Sequence, residues 1–543
     1  MKINVIATSP IEGQKPGTSG LRKKTKIFME PNYLENFVQS TVNALGGLRN
    51  KTILVGGDGR FYNKEAIQII LKMAAANGAA KCIVGQNGLL STPAASHLIR
   101  LRKADGGFIL SASHNPGGIG EDFGIKYNIS NGGPAPENIT DAIFNETLSI
   151  KEYQISEVED FDLSKIRLLE IEGMKIEIVD PVADYSALMA TLFDFDKLKA
   201  LFASGFTMSF DAMHAVTGPY AKSILEVTLG APIGTVKNAI PLEDFGGGHP
   251  DPNPVWAKEL MELMMSDNAP DFGAASDGDG DRNMIVGRGI YITPSDSLAV
   301  LAANMNLAPG YVAGPVGIAR SMPTSAASDR VAEGFGIEMF ETPTGWKFFG
   351  NLLDDGKVTI CGEESAGTGS DHVREKDGLW AVLLWLNILA EKKIAVCEIM
   401  KSHWQAFGRD YYSRHDYEAI PTHKADKLIF ELQEKIASLK GQEFSGEKVL
   451  DANVFEYKDP VDGSLSKNQG IRIYFESGGR AVFRLSGTGT EGATLRIYLE
   501  QYAGPSEDLS KDTQAALSSV QLAALEICQI ERHTGRKNPT VMT

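Results

Sequence analysis

Three carboxylates at alternate positions, Asp277, Asp279 and Asp281, are spaced by Gly278 and Gly280 and followed by Arg282. Oxygen ligands in so short a span converge on a hard divalent cation, Mg2+ or Ca2+. An EF-hand loop opens with the same spacing, but that reading fails. Counted from Asp277, the sixth position is Arg282 where the loop requires glycine, and the twelfth is Arg288 where it requires a bidentate glutamate. The apolar run Met284-Ile285-Val286 also predicts a strand where an EF-hand needs a helix. A solvated acidic turn is the plainer alternative. Carboxylates this close repel one another unless a cation neutralises them, so metal is favoured, and Mg2+ if a phosphate shares the site.

A second stretch presents a hydroxyl. Phe108-Ile109-Leu110 reads as a short strand, and Ser111-Ala112-Ser113-His114 runs from it into the turn Asn115-Pro116-Gly117-Gly118. Asn, Pro and Gly set or permit turn angles, so Ser113 is held at a strand end with its hydroxyl out of the core. A nucleophile is presented this way, and so is an ordinary serine-rich turn. Other loops suit anions and sugars. Gly17-Thr18-Ser19-Gly20-Leu21-Arg22-Lys23-Lys24 combines glycines, hydroxyls and cations, as an oxyanion site or a solvated basic loop would. Arg484-Leu485-Ser486-Gly487-Thr488-Gly489-Thr490-Glu491-Gly492, with Arg496 beyond, reads as a phosphate cradle or a glycine-rich hairpin; the flanking arginines favour phosphate. Glu363 and Ser365 follow a strand and suit sugar hydroxyls. Asp371 to Asp377, containing His372 and Lys376, reads by itself as a solvated charged loop.

Strands alternating with helices must position these loops. Thr52 to Val55 and Cys82 to Val84 read as strands, with helices near Lys64 to Ala76 and Ala94 to Leu101. A polar surface excursion is expected over Ser130 to Glu137, and a helix over Asp180 to Leu192. Further α/β runs start near Phe206 and Ser295, the latter holding Thr344 and Gly345, and a buried helix is expected over Leu379 to Ala390. The texture changes near Tyr411, where a smaller last domain opens, closed by a long helix over Thr513 to Arg532. At 543 residues the chain exceeds one core and predicts three or four domains. Its net charge of -16 argues against nucleic-acid binding. The cysteines Cys82, Cys361, Cys397 and Cys528 form no CxxC pair, which fits reduced thiols in a cytoplasmic protein. The polar start lacks a signal core, and the longest apolar run is too short to span a bilayer. No Walker A run, G-x-S-x-G elbow or H-E-x-x-H is present.

Taken together, the loops resemble the α-D-phosphohexomutase superfamily, and within it the phosphoglucomutases. Ser111 to Gly118, Asp277 to Arg282, Gly362 to Gly369 and Arg484 to Thr490 match its four signatures in family order, and Lys15 to Lys24 its N-terminal loop. The resemblance implies three related α/β mixed-sheet domains and a smaller α+β C-terminal domain around a central cleft. The expected divisions are 1–182 with the phosphoserine loop, 183–294 with the metal loop, 295–410 with the sugar loop and 411–543 with the phosphate loop. It implies interconversion of glucose 1-phosphate and glucose 6-phosphate through a phosphoserine at Ser113 and a glucose 1,6-bisphosphate intermediate, which also serves as activator.

By the same resemblance, one Mg2+ is held by Ser113, Asp277, Asp279 and Asp281. Lys376 is the candidate general acid/base, which asks for a depressed pKa, and His114 and Arg22 line the reacting group. Thr18, Ser19, Arg22, Lys126, Arg282, Thr344, Gly345, Glu363, Ser365, Lys376, Arg484, Ser486, Thr488, Thr490 and Arg496 are the expected substrate contacts. Ala366 stands where the family often carries an aromatic. The partners expected are sugar phosphates, with neither nucleic acid nor membrane, for a monomer or weak dimer.

Overall fold

The signature loops all occupy one kind of place: the connection between two antiparallel strands. The computed structural model describes residues 2–17, 19–171, 173–486 and 492–543. In the first unit a seven-stranded sheet has Thr52–Gly57 near its centre, parallel to Lys81–Leu89 on one side and Gly106–Leu110 on the other. The central strand, TILVGG, is apolar throughout because helices cover both faces of a parallel sheet. Gly106–Leu110 then pairs antiparallel with Asp122–Ile129, and the connection between them holds Ser113.

Two further units repeat the device. Met208–Asp211 is parallel to Phe272–Ser276, which pairs antiparallel with Asn283–Gly287; the aspartates lie in that turn. Gly317–Ser321 is parallel to Ile360–Gly362, which pairs antiparallel with Thr368–Ser370; Glu363 to Gly367 connect them. The last unit is a seven-stranded sheet in which Gly479–Ser486 pairs antiparallel with Ala493–Ala503 around the remaining loop.

The buried helix Gly378–Lys392 ties these units together. Asp377 caps it, accepting from the Trp380 amide at 3.0 Å, which satisfies one of the four free donors of a helix start. Leu379 to Ala390 is buried, as its composition predicts. Its side chains share one hydrophobic cluster with Leu54 and Ile109, Phe210 and Phe272, and Ile318 and Ile360. Three of the signature loops are therefore mounted on one continuous core. The last unit has its own core, including Leu428, Ile473, Leu495 and Val520. It meets the third through Met322, Phe348, Tyr412 and Tyr498. Among the described residues, no helix is long and apolar enough to cross a membrane.

Three local expectations are corrected. The closing helix is Thr513–Cys528; Gln529 takes a left-handed conformation (φ 49°), and a short helix, Ile530–Thr534, turns off to bury Ile530. Residues 130–137 are a surface excursion only at their ends: Ser130 and Glu137 are exposed, but Gly132, Gly133 and Ala135 are buried, with Gly132 against Ser96 and Gly133 against Arg374. The charged segment 371–377 is not solvated either, since Val373, Arg374, Glu375 and Asp377 are buried. Arg374 forms an ion pair with Asp354 at 2.5 Å, and His372 is held between Ser370 at 2.7 Å and Asp377 at 3.0 Å while stacked on Trp380. Charge density marked these residues as polar, but the partners of Arg374, Glu375 and Lys376, namely Asp354, Lys126 and Asp281, lie far off in sequence.

Gly378 shows how closely the parts fit. Its amide donates to the Gly280 carbonyl at 3.0 Å, and a Cβ there would collide with the Arg282 carbonyl. Gly378→Ala is expected to cost about 1–3 kcal/mol by overpacking, read by urea unfolding. Unchanged stability would contradict this fit between helix and aspartate loop.

Candidate active site

Ser113 is set by its own backbone. Its φ is 53°, a left-handed conformation costly for a non-glycine residue and sustained only where the surroundings fix it. Its amide donates to the Ser111 hydroxyl at 2.7 Å. Arg60 reaches across to the same turn, donating to the carbonyls of Ser113 (2.9 Å), Asn115 (3.3 Å) and Asp122 (2.8 Å). Asp58 holds that guanidinium at 2.9 Å, and both side chains are fully buried. The turn is thereby fastened from below, leaving the Ser113 hydroxyl to donate to Asp277 Oδ2 at 2.8 Å.

The three aspartates are all buried, and ligand atoms from each lie within 4.8 Å of one another. Each carboxylate is partly held by protein. Asp277 accepts from the Arg282 amide at 3.0 Å, Asp279 from the Thr92 hydroxyl at 2.6 Å, and Asp281 pairs with Lys376 at 3.0 Å. Asp279 Oδ1 and Asp281 Oδ1 are buried without a hydrogen-bond partner. Such oxygens are costly unless something cationic meets them, so the donor set fits a hard divalent cation. Burial, then the charges of Asp281 and Asp279, pushes Asp277 well above the usual carboxylate range. For Asp279 burial also raises the pKa, but Lys126, the Thr92 hydrogen bond, Lys376 and Arg22 outweigh it and the net direction is down.

Cations surround the cluster. Burial lowers the Arg22 pKa, and its Nε is buried without a partner. Arg282 lies 3.5 Å from Asp251, which it borrows from the preceding loop. Burial, then Arg282 and Arg22, drives the His114 pKa well below its ordinary value. His114 is thus neutral at physiological pH, 3.4 Å from the Ser113 hydroxyl. For Lys376 burial alone would lower the pKa, but Asp281 and other carboxylates more than offset it, so the net shift is upward. The depressed value that a general base requires is not found with the aspartates bare. A cation on Asp281 would remove the largest raising influence.

The remaining expected contacts divide. Lys126 is held by Glu375 at 2.7 Å, which Asn128 also meets at 2.8 Å. Glu363 accepts from the Gly345 amide at 3.0 Å, and Thr344 Oγ1 is buried without a partner beside it in the chain. The Asn283 amide donates to the Ala366 carbonyl at 3.0 Å, joining sugar and aspartate loops, and Ala366 takes φ 71°. Ser365 lines a hollow with Arg282 and Arg414. Arg484 and Arg496 stand directly opposite on neighbouring strands. Among the described residues, no hydrogen bond or ion pair joins these two to Asp277, Asp279 or Asp281; Arg496 pairs instead with Asp416 at 3.5 Å. Ser19 is exposed and Ser486 ends its strand; Thr18, Thr488 and Thr490 lie outside the described residues.

Sequence reasoning missed Thr92, Arg60, Asp58, Glu375 and Asp251. Only Asp58 and Arg60 left a trace, a GDGR run at the end of a central strand.

A serine hydroxyl on a carboxylate, two carboxylates awaiting a cation, and a ring of lysine and arginine define a site for phosphoryl transfer. Four family models match the chain in order: phosphoglucomutase/phosphomannomutase α/β/α domain I over residues 13–154, domain II over 183–289, domain III over 294–407, and a phosphoglucomutase-1 C-terminal domain over 409–540. The chain is 60% identical over 541 residues to a phosphoglucomutase of Rhizobium radiobacter, covering 100% of both. It is 53% identical to a chloroplastic phosphoglucomutase of Arabidopsis thaliana, covering 100% of this chain and 89% of that one. The crystal structure of parafusin, an exocytosis-sensitive phosphoprotein and phosphoglucomutase from Paramecium, in its open form, superposes with a TM-score of 0.93 at 50% identity, covering 100% of this chain and 99% of the other. The chain belongs to the phosphoglucomutase family of α-D-phosphohexomutases.

Two outcomes follow from this geometry. Asp277 binds its proton more tightly folded than unfolded, so the stability it contributes is present at acid pH and lost as pH rises through its raised range. Mg2+ at about a hundred times its Kd should restore about 2.7 kcal/mol at neutral pH and less under acid, read as a melting shift. Asp277→Asn should blunt that response; an undiminished shift would contradict the site. Arg60→Leu leaves Asp58 buried and unpaired, and is expected to cost about 3–5 kcal/mol by urea unfolding.

Proposed function

We propose that the chain interconverts α-D-glucose 1-phosphate and glucose 6-phosphate, with Ser113 as the phosphate carrier. The observation that carries this is the pairing of the Ser113 hydroxyl with Asp277 inside the aspartate cluster, in a member of this family. In the first half-reaction the bond between phosphorus and Ser113 Oγ breaks, and one forms to the free sugar hydroxyl. The hydroxyl proton leaves to a base, for which Lys376 is the candidate, and Ser113 Oγ takes up one proton as it leaves, restoring the serine hydroxyl. The glucose 1,6-bisphosphate so formed turns over in the cleft and returns its other phosphate to Ser113. Added bisphosphate would activate any enzyme lacking phosphate on this serine.

Asp277, Asp279 and Asp281 would hold Mg2+ beside the phosphoserine; when bound, the ion draws negative charge from the transferring group. Arg22 and Arg282 supply positive charge to the same group. His114, neutral and next to the nucleophile, can donate or accept a hydrogen bond without adding charge. Glu363 and Ser365 would take sugar hydroxyls, with Thr344 and Gly345 shaping that loop. Lys126, Ser19 and Thr18 would contact the substrate. Arg484, Ser486, Thr488, Thr490 and Arg496 would hold the phosphate not being transferred. Each of four domains, divided near residues 182, 294 and 410, then contributes one loop to the cleft. A cytoplasmic monomer or weak dimer completes the proposal.

The test compares initial rates on glucose 1-phosphate and mannose 1-phosphate while following inorganic phosphate. Preference for the glucose substrate and isomerisation with little phosphate release are expected. A mannose preference would move the chain to another phosphohexomutase activity, and stoichiometric phosphate release would make it a phosphatase.

A further inference from the structure

The phosphate and sugar loops are joined by a line of charges. Arg496 and Arg484 lie directly opposite on neighbouring strands, a like-charge pair that is unfavourable by itself. On the other flank of Arg496, directly across the next strand pair, stands Asp416. Its Oδ2 is 3.5 Å from Arg496 Nε. Two residues earlier on the same strand, and so on the same face, Arg414 places Nε 3.2 Å from Asp416 Oδ1. Arg414 Nη1 then donates at 3.1 Å to Glu364 Oε2, in the sugar loop and adjacent to Glu363. The line closes on itself, because Arg484 donates to the Tyr498 hydroxyl at 3.4 Å and Tyr498 stands opposite Arg414.

Charges alternate along this line: Glu364, Arg414, Asp416, Arg496. Arg484 is left over as the surplus cation. The carboxylates are buried, with Asp416 and Glu364 side chains 5% and 4% exposed, while Arg414 and Arg496 are 17% and 28% exposed. The Nε atoms of Arg414 and Arg496 and Oδ1 of Asp416 are buried with no hydrogen bond of good geometry. The two contacts to Asp416 are ion pairs without hydrogen bonds, which leaves Arg496 room to re-aim, while Arg414 stays tied to Glu364 by its hydrogen bond. Burying four charges costs more than a local salt bridge would repay, so stability alone does not account for the arrangement.

We propose that Asp416 is a positioning residue that aims Arg496 at the substrate's non-transferred phosphate, and that Arg414 couples this clamp to the sugar loop through Glu364. The inference rests on the reading of Arg496 as a phosphate ligand. A dianion arriving between Arg496 and Arg484 draws Arg496 outward and weakens its hold on Asp416. Asp416 then pairs more fully with Arg414, whose grip on Glu364 changes in turn. Phosphate capture in the last unit is thereby felt at the sugar loop of the third.

The test uses the full chain and the variants Asp416→Asn, Asp416→Glu, Glu364→Gln, Arg496→Gln and the Asp416→Asn/Glu364→Gln double variant. Melting temperatures are recorded for each. Asp416→Asn should raise KM for glucose 1-phosphate about tenfold, as expected when a charge-assisted contact is misaimed, with kcat changed less than about twofold. Asp416→Glu should recover most of that loss. The double variant should show a KM no higher than the worse single variant, since both cuts sever one line. If Arg496→Gln leaves KM unchanged, the phosphate-clamp reading itself fails. If Arg496→Gln raises KM but Asp416→Asn lowers only the melting temperature, Asp416 is a structural partner and the inference fails alone. Multiplicative KM effects in the double variant would overturn the coupling. Should Asp416→Asn not fold, Glu364→Gln cuts the line from its other end, and a KM equal to the parent's overturns the coupling.

Discussion

Everything in this site answers one electrostatic problem: three carboxylates are buried within 4.8 Å of one another, against the hydroxyl of Ser113. Burial and mutual repulsion each disfavour the charged state, and the upward shift of Asp277 is the direct expression of both. The structure responds with positive charge from several directions. Lys376 meets Asp281 from the third unit, and Arg282 follows the aspartates in their own loop. Arg22 and Lys126 act on Asp279 from the first. The two oxygens that remain without a hydrogen-bond partner fit a cation. An enzyme that moves a phosphoryl group needs such stored positive potential, because phosphoryl transfer asks the protein mainly for position and charge stabilisation.

Holding those charges in place explains the architecture around them. A loop between antiparallel strands is fixed at both ends, and three such loops are mounted on the core of the helix Gly378–Lys392. Cross-links between loops then set their relative positions. Thr92 from the first unit grips Asp279 of the second, Asn283 of the second binds Ala366 of the third, and Gly378 holds Gly280. The last unit, with its own core, is joined to the third through the apolar contact of Met322 and Phe348 with Tyr412 and Tyr498 and through polar contacts beside it. Arg480 donates to the carbonyls of Met322 at 3.1 Å and Thr324 at 2.7 Å while pairing with Glu500.

The sequence made much of this legible for a physical reason. Motifs that bind a metal or present a hydroxyl are local: Asp277, Asp279 and Asp281 sit within one turn, and Ser113 in another, so spacing reveals them. The apolar run of the central helix is equally local. The supports are not local. Thr92 to Asp279, Arg60 to Ser113 and Lys126 to Glu375 are separated by tens to hundreds of residues, and no pattern in one chain announces them. The same blindness made residues 371–377 look solvated, since their neutralising partners are distant. The break at Gln529 was hidden because helix propensity continues through it while tertiary burial of Ile530 decides the turn.

The central claim is that Ser113 carries phosphate, and phosphopeptide mass spectrometry measures this directly. After incubation with glucose 1,6-bisphosphate and Mg2+, the peptide containing Ser113 should carry one phosphate. Excess unlabelled glucose 1-phosphate should carry a labelled phosphate off Ser113, and Ser113→Ala should show neither phosphate nor mutase activity. A fully active Ser113→Ala variant, or phosphate taken up at another residue while Ser113 stays bare, would contradict the account.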